Sequence, residues 1–364
     1  MKDESFFPSR FLNGIWHNIA ERIIAMLPGK NKKWRDLTIL AIDKSTVALP
    51  ESEELYKKFG AHNGSRGLGS ISVEICCLFS VFCRIPIAVV FGKSSTSEHL
   101  LIPRLLKHVK KSSLLLIDNG FYSCTLFKSL IEREINFIIP TASNYVFKLT
   151  LKLANGDYLS SAYDRKTKTH IPVRVIFVYR KGFRRKRLVS SLLDPQKYPA
   201  SEIADLYHLR WDIETFYNEF KNTMQGSKWH CRNPHSFEIE LISKMIFACL
   251  VRHSGCQAAQ LSDVAPGRIS FSRTVSAVKR FMKTIVIRVC WDSFENAWNF
   301  LIKKIINFYF QSKPGRSYHR DKQEYRKDSR KKRRGRPKSP EKIVHGPETK
   351  EFSTTLKKGV YILT

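Results

Sequence analysis

The chain has 364 residues, with 63 Lys or Arg against 32 Asp or Glu and a formal net charge of +31. Its 43% hydrophobic content is enough to build a core, which excludes a wholly disordered chain. A charge this positive points to a polyanion as partner, nucleic acid ahead of an anionic membrane surface. The longest apolar run, Ile242 to Val251, is interrupted by Ser243 and Lys244 and falls short of the roughly 20 residues a membrane span needs. The N-terminus, with Lys2, Asp3 and Glu4, has no apolar signal core, so an intracellular, cytoplasmic chain is expected. The eight cysteines, including adjacent Cys76 and Cys77, read as small buried hydrophobes of a reducing compartment.

In chain order, an amphipathic stretch from Phe11 to Leu27 comes first. Leu37 to Ile42 is apolar on both faces and ends in Asp43, the pattern of a central buried strand. Residues 50–69 are polar and Gly-bearing and read as a loop. Ser70 to Ser80 and Ile85 to Phe91 read as an antiparallel hairpin. Ser97 to Lys110 carries leucines at helical spacing, and Leu114 to Ile117 is a second buried strand ending in Asp118. Asn119-Gly120 is a turn signal. Phe121 to Arg133 reads as a helix and Asn136 to Ile139 as a short strand. The order of these elements outlines an α/β, ribonuclease-H-like mixed-sheet core.

Tyr145 to Leu193 is β-branched and turn-rich. Its clearest strands are Pro172 to Tyr179 and Leu188 to Leu193. Between them lie Arg180, Lys181, Arg184, Arg185, Lys186 and Arg187, a hairpin tip suited to a phosphate backbone. Helices are expected over 201–222, 236–252, 272–286 and 292–309. From Lys313 to Lys338 there are 13 Lys or Arg against Asp321, Glu324 and Asp328, a basic tail expected to be disordered when free. Within it, Lys331 to Lys338, with the core Arg334-Gly335-Arg336-Pro337, resembles an AT-hook, whose arginines enter the minor groove of A·T-rich DNA; the alternative is a generic basic tail that binds any polyanion. The organisation expected is a short N-terminal helical remnant (1–36), the first part of the core (37–144), an inserted β-rich subdomain (145–200), the core completion with C-terminal helices (201–312) and the tail (313–364).

The helix over 201–222 carries the strongest signal. On a helical wheel Tyr207, Arg210, Glu214 and Lys221 share an arc of about 60°. They lie at the border between an apolar face (Leu206, Leu209, Ile213, Phe216, Tyr217, Phe220) and a solvent face that takes Asp205, Asp212 and Glu219. An ordinary exposed helix would explain the Arg210–Glu214 pair at i,i+4, but not why Tyr207 and Lys221 join the same stripe.

This Y-x2-R-x3-E-x6-K pattern resembles the signature of bacterial insertion-sequence DDE transposases, members of the ribonuclease-H-like superfamily. Asp43 matches the first acid of that family, and Asp118, followed by Gly120 and Phe121, matches the second. Glu214 matches the third. The inserted β-rich segment between Asp118 and Glu214 is also a family trait, and the resemblance covers roughly residues 37–255. Two departures stand out. Only 42 residues precede Asp43, where relatives carry a longer DNA-binding region. Residues 145–200 contain no Trp, the residue with which hairpin-forming relatives hold a flipped base.

The resemblance implies a metal-dependent enzyme that cuts double-stranded DNA at transposon ends and transfers the freed 3′ end to a target. It would work as a homodimer in a synaptic complex at the bacterial nucleoid. Asp43, Asp118 and Glu214 would hold two Mg²⁺, for which Mn²⁺ can substitute. Hard divalent ions held by carboxylates activate a nucleophile and stabilise the leaving oxygen of a phosphodiester. Tyr207, Arg210 and Lys221 would hold phosphates near the cut, the Arg as a fork and the Lys as a point charge. Two rivals share these residues: a nuclease of the same fold that cuts without joining, and a silent or truncated descendant that only binds DNA. Gly92-Lys93-Ser94 lacks the earlier Gly of a phosphate loop. His230-Cys231 and the stretch from His253 to Cys256 lack a second Cys pair for zinc and read as packing residues.

Overall fold

The computed structural model describes residues 7–26, 33–61, 70–93, 96, 98–141, 145, 147–153, 156–179, 185–287 and 291–311. Arg184, Arg334, Arg336 and the basic tail lie outside them.

The centre of the molecule is one nine-stranded sheet in the order β3-β2-β1-β4-β5-β9-β8-β7-β6. Strand β1 (Thr38–Ala48) runs parallel to β4 (Ser113–Ile117), which runs parallel to β5 (Asn136–Pro140). These are the apolar runs of the sequence, and their middles are buried because helices cover both faces of the sheet. β2 (Ser72–Ser80) and β3 (Ile85–Lys93) add an antiparallel hairpin on one side of β1. On the other side, β9 (Lys186–Ser190) pairs antiparallel with β5, and β8 (Thr169–Val178), β7 (Tyr158–Asp164) and β6 (Leu151–Lys152) follow in turn. The strands of the β-rich segment therefore continue the core sheet edge to edge.

Strand alternation gives the sheet two buried faces. One packs under α3 (Glu98–Leu106) and α4 (Cys124–Glu132). The other carries α1 (Phe7–Met26), α5 (Ala200–His208), α6 (Trp211–Asn218), the long α7 (Pro234–Leu261), α8 (Phe271–Ile287) and α9 (Trp291–Ile306). α7 starts cleanly: Asn233 accepts from the Ser236 N–H, Ser236 returns a hydroxyl bond, and Pro234 occupies the first turn. Among the described residues, no helix is long and apolar enough to cross a membrane.

Three expectations need correction. Residues 50–69 are not all loop, since Glu53–Phe59 form a short helix, α2, that buries Leu55 and Phe59. β1 does not end at Asp43 but runs on to Ala48, because β2 keeps pairing with it as far as Ala48↔Ser72. The helix over 201–222 is not continuous. α5 ends at His208, and the N–H groups of Leu209, Arg210, Asp212 and Ile213 bond three residues back, not four. After α6 the chain widens into a π-turn at Glu219–Thr223.

Candidate active site

The site begins with register. β1 and β4 pair as far as Ile42↔Ile117, so the next residues, Asp43 and Asp118, emerge side by side where β4 leaves the sheet. β1 continues with a neighbour on one side only. Asp43 shares its sheet face with Ala41 and Val47, the face covered by α6. Asp118 lies just past β4 and leads into a single 3₁₀ turn, Asn119–Phe121, which contains the Asn-Gly pair.

Two tyrosines tie the helical layer to the backbone of these two strands. The Tyr217 hydroxyl bonds the Asp43 carbonyl at 2.8 Å and also approaches the Ile75 carbonyl at 3.2 Å. The Tyr207 hydroxyl donates to the Ile117 carbonyl at 3.3 Å. Tyr207 is only 5% exposed, and burial pushes its phenol well above the ordinary value. It therefore lies in the core and not on the border with solvent. Tyr217 carries no charge and falls within the apolar stripe, so the sequence offered no signal that would separate it from a packing residue.

Arg210 stands between the acids. Its guanidinium reaches Glu214 Oε1 at 2.6 Å, Asp118 Oδ1 at 3.6 Å and Asp43 Oδ2 at 3.7 Å. Arg210 is 6% exposed, and its Nε has no hydrogen-bond partner. Burial works against its charge, but Tyr207 and the three carboxylates outweigh burial and raise its pKa. Asp43 is pushed up to about 6, first by burial and then by repulsion from Asp118 and Glu214, with the Lys44 N–H and Arg210 opposing. One cation thus faces three acids, and negative charge is left over.

The donor chemistry fits a hard divalent cation, since all three ligands would be carboxylate oxygens. As placed, however, the acids are spread around the guanidinium. Among the described residues, no three His, Cys, Asp or Glu side chains are grouped to hold a metal ion. Drawing them together around an ion requires Arg210 to give up at least part of its hold.

Lys221 sits in the π-turn, half-buried; burial lowers its pKa and the Glu74 carboxylate opposes that. Glu74, on β2, is 6% exposed and lies near Lys44 (3.7 Å) and the Thr46 hydroxyl (3.1 Å). The wheel also misplaced two acids. Asp212 and Glu219 do not face solvent but pair with Arg84 and Arg252, respectively. Those arginines come from the β2–β3 turn and from α7, partners that no local pattern could supply.

Of the expected hairpin tip, Arg185, Lys186 and Arg187 are described; they lie at the start of β9, two strands from β4. Arg185 stacks over the rings of Phe177 and Tyr179, at 4.0 and 4.7 Å. Lys186 opens β9 and is exposed. Arg187 turns inward to the Thr141 hydroxyl and the Tyr145 carbonyl (2.6 Å). His253, one of the residues weighed for zinc, stacks on Trp298.

Residues 34–250 match the family model described as the transposase DDE domain. Over 286 residues the chain is 30% identical to the transposase InsG of insertion sequence element IS4 from Escherichia coli (strain K12). That match covers 74% of this chain and 62% of the relative, so the chain spans less than two thirds of the relative's length. Among solved structures, a similar chain is that of a piggyBac transposase synaptic complex with hairpin DNA. It aligns with 88% of this chain and 66% of its own, at 13% identity and a TM-score of 0.42.

Proposed function

The chain belongs to the DDE transposase family, and on that premise we propose that it cuts double-stranded DNA at element ends and joins the freed end to a second DNA. The observation that carries this reading is the convergence of Asp43, Asp118 and Glu214 on one guanidinium where the β1–β4 pairing stops. Acids that repel one another in a chain of net charge +31 need a reason to be gathered, and a metal-binding role supplies one.

In this reading the three carboxylates hold divalent metal, two Mg²⁺ with Mn²⁺ as a substitute. When bound, these ions supply an activated nucleophile and a stabilised leaving oxygen for in-line displacement at phosphorus. The chain's own residues do the rest. Arg210, loosened from the acids, presents its fork to a phosphate beside the scissile bond. Tyr207 and Tyr217 fix the backbone at Ile117, just before Asp118, and at Asp43. Lys221, on the π-turn, supplies a point charge to the backbone beyond. The hairpin tip (Arg184, Arg185, Lys186, Arg187) and the tail arginines Arg334 and Arg336 would take DNA farther from the cut. Two copies of the chain would act on paired ends, each organised as the five segments laid out for the sequence.

The test is nicking of DNA that carries the sequences flanking the gene, in Mg²⁺, with wild type beside Glu214→Gln. The reading expects wild type to nick, and Glu214→Gln to bind the same DNA while losing at least 100-fold in rate, the order of loss for a group acting on the transition state. Binding without nicking in the wild type would overturn it in favour of a silent DNA-binding descendant.

A further inference from the structure

A groove of about 1300 Å³ lies beyond the β3 edge of the sheet, walled by α1, α2, α3 and the start of α7. It exceeds the roughly 300–1,000 Å³ of small-molecule sites. Its walls carry five Lys or Arg (Lys57, Lys58, Lys93, Arg104, Lys107) against Glu54 and Glu238. Lys57 is paired with Glu53 at 2.6 Å. Lys58, Lys93 and Lys107 are exposed and form no ion pair with the described residues. His17 and His108 stack at 4.5 Å in the same wall. Burial holds both below the ordinary value, His108 at about 4, so near neutral pH they add a flat uncharged surface.

The groove lies close to the acids. Asp43 is opposite Cys77 on β2, and Cys77 is opposite Val89 on β3, which lines the groove. Two strand spacings, about 10 Å, separate the first acid from this floor. An added peptide strand is poorly served there. Along the β3 edge the Phe91 carbonyl accepts from Arg104, the Lys93 carbonyl from the Thr96 N–H, and the Pro86 carbonyl from the Trp16 indole. A strand pairing with that edge needs those carbonyls.

We propose that this groove is a second binding site for the phosphate backbone of DNA, with Lys58, Lys93 and Lys107 as its contacts. The site rests on the DNA-binding part of the proposed function and not on its cleavage part. The backbone can come from the continuation of the DNA engaged at the acids or from a separate duplex, and both offer the same chemistry.

The experiment is equilibrium binding of the full chain to a short and a long duplex that share one core sequence, over a range of salt. Wild type is compared with the triple variant Lys58→Ala/Lys93→Ala/Lys107→Ala and with a control triple, Lys111→Ala/Lys128→Ala/Lys152→Ala. Each lost phosphate contact lowers the slope of log affinity against log salt by about 0.9, so a loss of roughly 2.7 is expected for three. A loss confined to the long duplex assigns the groove to continuing DNA. A loss seen only when a second duplex is added to the saturated complex assigns it to a separate one. Either supports the site, provided the control triple keeps the wild-type slope. An unchanged slope in the groove variant, with wild type still binding DNA, overturns the groove alone, as does an equal loss in the control. A wild type that binds no DNA overturns the groove together with the proposed function.

Discussion

The three acids do not hold equal positions. Side-chain exposure rises from 18% at Asp43 to 37% at Glu214 and 45% at Asp118. Asp43 is the most buried of the three, and burial raises its carboxyl from 3.8 to about 6. The folded chain therefore holds that proton more tightly than the unfolded chain, and folding stability falls as pH rises from about 4 to about 6. The full cost, about 2–3 kcal/mol from the size of the shift, is present above that window and absent below it. Asp43→Asn in metal-free protein should therefore gain stability above pH 6 by about this amount and gain nothing below pH 4. Denaturant melts at several pH values check this. A variant less stable than wild type above pH 6 would show that the carboxylate is held by its hydrogen bond and by Arg210 more than it is penalised by burial.

At the scale of elements, the strands were legible and the helix carrying the signature was only partly so. Leu37 to Ile42 and Leu114 to Ile117 are apolar on both faces, and only a central strand buries such a run completely. The break at Leu209–Arg210 left no trace in residue type. A wheel assumes about 100° per residue, but the three-residue hydrogen bonds there turn the chain faster. Tyr207 points to the Ile117 carbonyl and Arg210 to the acids, although a regular wheel puts both at the border with solvent. Gathering the acids was foreseeable through the family resemblance, which matched Asp43 and Asp118 just after the two apolar runs and Glu214 in the helical signature. The guanidinium among them was not, because i,i+4 spacing gave Arg210 only Glu214 as a partner. The β-rich segment hid another long-range contact. Arg174 on β8, wholly buried, bonds Asp157 Oδ2 at 2.5 and 3.2 Å and the Tyr198 carbonyl at 2.6 Å. Asp157→Ala leaves that guanidinium without its counter-charge and should destabilise the fold by about 3–5 kcal/mol. Chemical denaturation measures it, and a loss below about 1 kcal/mol, the level of an exposed pair, would mean that water reaches the site.

Across the whole molecule, charge and topology serve the same reading. A single sheet carries Asp43 and Asp118 near its middle, basic residues at the start of β9 on one side and a basic groove at the opposite edge. Net charge announced a polyanion, but composition could not say where on the surface it would lie; that depends on which lysines are already paired, as Lys57 is and, among the described residues, Lys93 is not. The central claim is that one carboxylate site both cuts and joins. Its most direct measurement follows a labelled 3′ end, cut from DNA bearing the flanking sequences, into an unlabelled supercoiled plasmid in Mg²⁺. Wild type should yield plasmid covalently carrying the label, and Asp43→Asn, Asp118→Asn and Glu214→Gln should each yield none. Cut ends that never enter the plasmid would contradict the claim and make the protein a nuclease.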